Sequence, residues 1–215
     1  MALEKFFDEG NKVSVFGSFV YLREYASDLD LTLFTRQQSL PFYPEYSEEV
    51  MQFLEDNFGR IDLPIDFTGR RDKVGKVPYD LSNLPADDRR LDGYLLTCVF
   101  FPDNSFLETH YKSMMGEDYL AKTWLRHAED IQRNGLQEAR LNKKNKDLAL
   151  LLKSTEKVAN NTHPYLWEII GEFSEKHISY RRMYASGNIN IIEYDRRLGD
   201  MIPEFVSSVK SRLIN

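Results

Sequence analysis

Residues Val13–Phe34 read VSVFGSFVYLREYASDLDLTLF, and the fold and chemistry expected of the chain follow from this stretch. Lys12 to Phe16, KVSVF, is rich in β-branched and aromatic residues and predicts a short strand. Gly17-Ser18 break it. Residues 19–26 predict a turn or one or two helical turns. Asp28 to Phe34, DLDLTLF, alternates strictly and predicts a second strand. Leu29, Leu31 and Leu33 fall on one face, and Asp28, Asp30 and Thr32 on the other. Each part has a physical use. A glycine lets the backbone come close to a phosphate. A serine hydroxyl and the amides after it hydrogen-bond phosphate oxygens, the more so where a helix begins. Two aspartates at i and i+2 on a strand share a face. Together they offer oxygen ligands to a hard cation such as Mg²⁺. Cations that bridge phosphates neutralise the charge developing in an in-line displacement.

Gly17-Ser18 followed by Ser27-Asp28-Leu29-Asp30-Leu31 resembles the signature of the DNA polymerase β-like nucleotidyltransferases. That family shows Gly-Ser, a short gap, then Ser-Asp-hydrophobic-Asp-hydrophobic. The resemblance implies a small mixed sheet carrying three carboxylates, with Mg²⁺ (or Mn²⁺) as cofactor and a nucleoside triphosphate as substrate. Gly17 and Ser18 would hold the triphosphate tail, and Asp28 and Asp30 would bind metal. The third carboxylate comes from the next strand in that family. Here the candidate strand is Arg60 to Phe67, RIDLPIDF, which offers Asp62 and Asp66 on one face. Asp62 resembles the usual placement better, because it opens its strand as Asp30 nearly opens its own, so it joins Asp28 and Asp30 as an expected metal ligand. Asp66 shares the face, and both would line the site. Many relatives carry a glycine four residues after the serine, often preceded by arginine. This chain has Leu22 there and Arg23 one step on, so the turn differs, and phosphate binding is carried over to Arg23.

Downstream, Ser47 predicts the start of a helix with Val50, Phe53, Leu54 and Phe58 at helical spacing, closed by Gly59. Pro64 lacks a donor for a ladder, which suggests an edge position or a bulge for the third strand. Residues 68–92 are charged and read as an irregular, mobile loop or hinge. GYLLTCVFF, residues 93–101, is a buried segment of undecided type. Ser105 with Glu108 makes a capping box. Four further helices are expected at about 117–134, 140–160, 165–186 and 191–213 from their apolar periodicity. Pro203 is expected to kink or divide the last. The expected fold class is α+β: a polymerase β-like catalytic core over 1–92, and a helical region over 93–215 that packs on it and walls the cleft. Parts of 117–158 and 185–209 loosely resemble the helical region of a larger predicted-nucleotidyltransferase branch common in bacteria and phages.

A formal net charge of −6 gives the chain no overall attraction to nucleic acid and demotes it as a partner. The single cysteine, Cys98, excludes an intramolecular disulfide and any Cys-based zinc site. It reads as a small buried hydrophobe. The charged N-terminus does not read as a secretory signal. No stretch approaches the roughly 20 apolar residues that span a bilayer. The expectation is a soluble, cytoplasmic protein with no membrane partner. Arg70, Arg71, Lys73 and Lys76 form a basic cluster that is either a solvated loop or a contact for triphosphate or an acidic acceptor. Lys143, Lys144 and Lys146 read as a solvated helix start. The four histidines show no metal spacing, and Trp124 and Trp167 read as core.

The expected reaction is transfer of a nucleoside monophosphate from a triphosphate to a hydroxyl, with release of pyrophosphate. The acceptor stays open among a small molecule, a protein side chain and an RNA end. The rival is a non-catalytic module that keeps the fold to dock a protein partner. Retained acids argue against it.

Overall fold

A computed structural model describes residues 10–16, 20, 29–36, 52–53, 55–56, 65–68, 70–71, 76–135 and 141–214. Of 65–68, 70–71, 76–77, 134–135 and 141–142 it describes the backbone alone. The architecture is mixed α+β. The strands are β1 (Lys12–Phe16), β2 (Leu29–Thr35), β3 (Ile65–Thr68), β4 (Arg70–Arg71), β5 (Lys76–Val77), β6 (Tyr79–Asp80) and β7 (Val99–Phe101). The main sheet runs β3-β2-β1-β7, with β6 also pairing on β2. β1 is antiparallel to β2 and β7, whereas β3 and β6 run parallel to β2. β3 ends the strand order, as Pro64 suggests. Residues 68–92 are less irregular than their charge implies. β4 and β5 pair as a separate ladder, Arg70↔Val77 and Arg71↔Lys76, and β6 follows.

Alternation explains the sheet's core. Val13, Val15, Leu29, Leu31 and Leu33 form one buried face. The opposite face is buried too along its inner rungs. Ser14 and Thr32 are register partners there, and both are fully buried. Beyond them Phe34 meets the rings of Tyr79, Phe100 and Phe106 at centroid distances of 5.2, 5.6 and 5.2 Å. A strand buried on both sides is what a central sheet position demands.

The chain divides into two compact units. One comprises residues 1–87 with 98–113, and the other 88–97 with 114–215. The run at 93–101 is therefore split. Its first part belongs to helix α1 (Arg89–Thr97) in the second unit, and its last to β7 in the first. Cys98 lies between them and is half-buried rather than enclosed. Helix α2 (Ser105–Met115) follows β7.

The second unit also holds α3 (Tyr119–Gly135), α4 (Leu141–Asn161), α5 (Leu166–Ala185) and α6 (Ile191–Ile214). In α3 the buried residues Leu120, Thr123, Trp124, His127, Ala128 and Ile131 repeat at three and four, so one stripe faces inward. Trp124 is fully buried and donates its indole N–H to Thr155 Oγ1 at 2.9 Å. Trp167 differs from its expected core role. It is 44% exposed, because α5 buries Leu166, Ile169, Ile170 and Phe173 and turns position 167 outward. α6 continues through Pro203 without division. Its buried stripe, Leu198, Met201, Ile202, Phe205 and Val209, packs on both sides of the proline, and tertiary packing outweighs the local penalty. Among the described residues, no helix is long and apolar enough to cross a membrane.

Candidate functional site

Asp30 is the second residue of β2, half-buried among fully buried neighbours Leu29 and Leu31. Its register partner on β1 is Phe16, and on β3 it is Asp66. Register partners share a sheet face, so two acidic positions stand side by side on adjacent parallel strands. The next rung on that face is Ser14, Thr32 and Thr68. By register, two aspartate positions thus lie beside a rung of serine and threonine positions. Ser14 Oγ is buried and, among the described residues, has no hydrogen-bond partner.

The remaining expected site residues, Gly17, Ser18, Arg23, Asp28 and Asp62, lie outside the described residues, as does Lys73. The basic cluster after β3 takes definite form. Arg71 and Lys76 are register partners on β4 and β5, so two cationic positions oppose each other on one face of a short hairpin. Like charges directly opposite are unfavourable in a bare hairpin.

The lysines at the start of α4 are used otherwise. Lys144 donates to Asp195 Oδ2 at 2.6 Å, and Lys143 lies 4.0 Å from Asp147. The histidines serve packing. His127 is 7% exposed, its Nε2 has no hydrogen-bond partner among the described residues, and burial pulls its pKa down to about 4. Gly93 on α1 admits it closely, since a Cβ there would stand 3.3 Å from His127 Cε1. His177 Nε2 bonds Asn145 Oδ1 at 3.1 Å, and burial followed by the charge of Arg181 lowers its pKa to about 4. Burial likewise lowers His110. Among the described residues, no three His, Cys, Asp or Glu side chains cluster as a metal group.

Sequence reasoning missed the β4–β5 hairpin. Its signal was there: Arg70-Arg71 and Lys76-Val77 flank Asp72-Lys73-Val74-Gly75, a glycine-bearing connection of hairpin length. Comparison with known proteins finds no matching family model, no matching curated protein and no matching solved structure.

Proposed function

We propose that the chain is a metal-dependent nucleotidyltransferase that transfers a nucleoside monophosphate to a hydroxyl acceptor. One observation carries the reading: Asp30 and Asp66 are direct neighbours across the parallel β2–β3 ladder. Adjacent strands run about 5 Å apart, close enough for carboxylates on one rung to reach a common small cation. Two carboxylates this close repel each other, and a divalent cation offsets the repulsion. The donor set is all oxygen, which suits Mg²⁺ or Mn²⁺. In this reading Asp66 is the third carboxylate, beside Asp28 and Asp30.

Bound Mg²⁺ or Mn²⁺ would supply Lewis-acid stabilisation of the phosphate oxygens. The chain's own groups do the rest. Gly17 and Ser18 would hold the β- and γ-phosphates through backbone N–H and hydroxyl donors. Asp66 would accept a hydrogen bond from the acceptor hydroxyl and orient its oxygen. As that oxygen forms a bond to the α-phosphorus its proton would pass to the Asp66 carboxylate, the bond from phosphorus to the α–β bridging oxygen would break, and pyrophosphate would leave with that electron pair. The Arg71–Lys76 pair would meet the departing anion or an acidic acceptor.

Calorimetry with ATP, with and without Mg²⁺, tests this against the docking-module alternative. The parent should bind ATP more tightly with Mg²⁺, and Asp28→Ala with Asp30→Ala should lose that gain while staying folded. A double variant that binds Mg·ATP as the parent does would overturn the assignment. Mass spectrometry of an extract incubated with labelled triphosphate would then identify the acceptor.

A further inference from the structure

Helix α5 turns Leu166, Ile169, Ile170 and Phe173 inward. On its outer side Trp167, Gly171, Ile178 and Arg182 recur at helical spacing and form one exposed stripe. Trp167 and Ile178 are 44% and 46% exposed. Scattered singly, such residues would need no explanation. Here they share a stripe with a glycine that the helix itself does not need. Gly171 lies in regular helix with no positive φ. A Cβ built there would meet nothing within 4 Å. Alanine would fit and would favour the helix. A glycine in the middle of an exposed stripe lets a second helix come close, since the side chains at a contact set the distance between helix axes.

The charges identify that second helix. Glu168, Glu172 and Glu175 stand in the first half of α5, and Lys176, Arg181 and Arg182 in the second. The helix dipole favours this order by itself, but it places no apolar stripe and no glycine between the two ends. Turned end for end, the pattern is complementary to itself. In an antiparallel pair with its midpoint between Ser174 and Glu175, Gly171 of each copy faces Ile178 of the other. Trp167 likewise faces Arg182, and Glu168 faces Arg181. One midpoint serves all three pairs, as a two-fold interface requires. The Ile178 side chain then falls on the glycine, and the Arg182 guanidinium on the Trp167 ring. Among the described residues, Arg182 takes part in no ion pair. With Ile178 and Met183 it lines an open groove on the second half of α5, where the second copy's Trp167 would lie.

We propose that the exposed face of α5 is a self-association surface, occupied by α5 of a second copy of this chain packed antiparallel to it. The surface lies wholly within the helical unit and is independent of the nucleotidyltransferase reading.

The test is sedimentation velocity of the full chain between about 1 and 200 µM, a range suited to a small interface. The average mass should climb from monomer towards dimer. Gly171→Lys should dimerise at least about tenfold more weakly. In dilute solution it should melt at or above the parent temperature, because lysine is the better helix former. Trp167→Gln, at an exposed position, should weaken the dimer similarly. Glu168→Arg should weaken it about fivefold or more, since the symmetry loses two pairs at once. Adding Arg181→Glu to Glu168→Arg should restore it. The proposal falls if the parent stays monomeric at about 200 µM, or if either Gly171→Lys or Trp167→Gln dimerises as the parent does. A single reversal without effect, or a double reversal no better than the single, would overturn the antiparallel register.

Discussion

Arg126 on α3 donates through Nε to Asp92 Oδ2 on α1 at 3.0 Å, and the Asp92 side chain is wholly buried. Arg89 approaches the same oxygen at 4.0 Å. Removing Arg126 takes the nearest cation from a buried carboxylate, and breaking a buried pair in this way costs about 3–5 kcal/mol. Arg126→Ala should therefore lower the melting temperature strongly. Lys176→Ala, which breaks the far more exposed pair with Glu204, should barely register in the same calorimetric scan.

His127 and His177 set a pH dependence. The folded pKa of each lies near 4, below the 6.5 of free imidazole. As pH falls below about 6.5 the unfolded chain takes up protons that the folded chain refuses, so stability declines until about pH 4. For the deeply buried His127 the loss approaches roughly 3 kcal/mol. His127→Gln should flatten the decline measured by urea unfolding between about pH 7 and pH 4.5. An unchanged slope would mean that the ring is solvated.

Asp62 and Asp66 compete for one role. If the register argument holds, Asp66→Asn should cost orders of magnitude in turnover, because it touches charge in the transition state. Asp62→Asn should cost about tenfold or less. The reverse ranking would return the role to Asp62, and equal small losses would remove this strand from the chemistry.

Arg71 and Lys76 should matter for anion binding and not for folding. The pair Arg71→Gln and Lys76→Gln should weaken triphosphate on the order of tenfold or more and reduce the salt dependence of binding. Melting should hold or rise, since opposed like charges are relieved. A large drop in melting with unchanged affinity would make the hairpin purely structural.

A chain ending at Asp92 should not fold. It lacks β7, which pairs with β1, and the rings of Phe100 and Phe106 that close on Phe34. A cooperative melt of residues 1–92 would contradict this.

Local pattern carried much of the fold. β1 and β2 were legible because period-two alternation is unambiguous in KVSVF and LDLTLF, and the four long helices because their apolar stripes repeat over several turns. Three features were not. The segment 93–101 is apolar whether helical or extended, so periodicity could not divide it at Cys98. Trp167 looked like core because a single helix does not declare which flank its neighbours cover. Most telling for the site, Asp66 pairs with Asp30 through the register of the β2–β3 ladder, and alternation along one strand says nothing about which rung of the next it meets. The sequence pointed to the acids as a class. Which two share a rung is a property of the ladder.

The covalent path between the two units has a consequence for how the protein is made. The chain passes between them at 87–88, 97–98 and 113–114. On the ribosome, β1 and β2 emerge long before β7, and α1 emerges before every helix it packs against. The sheet must wait with one edge open until residue 101 clears the exit tunnel, and α1 must wait longer still. Neither unit is a cassette that recombination could transplant through a single joint. The two are synthesised with their segments alternating along the chain.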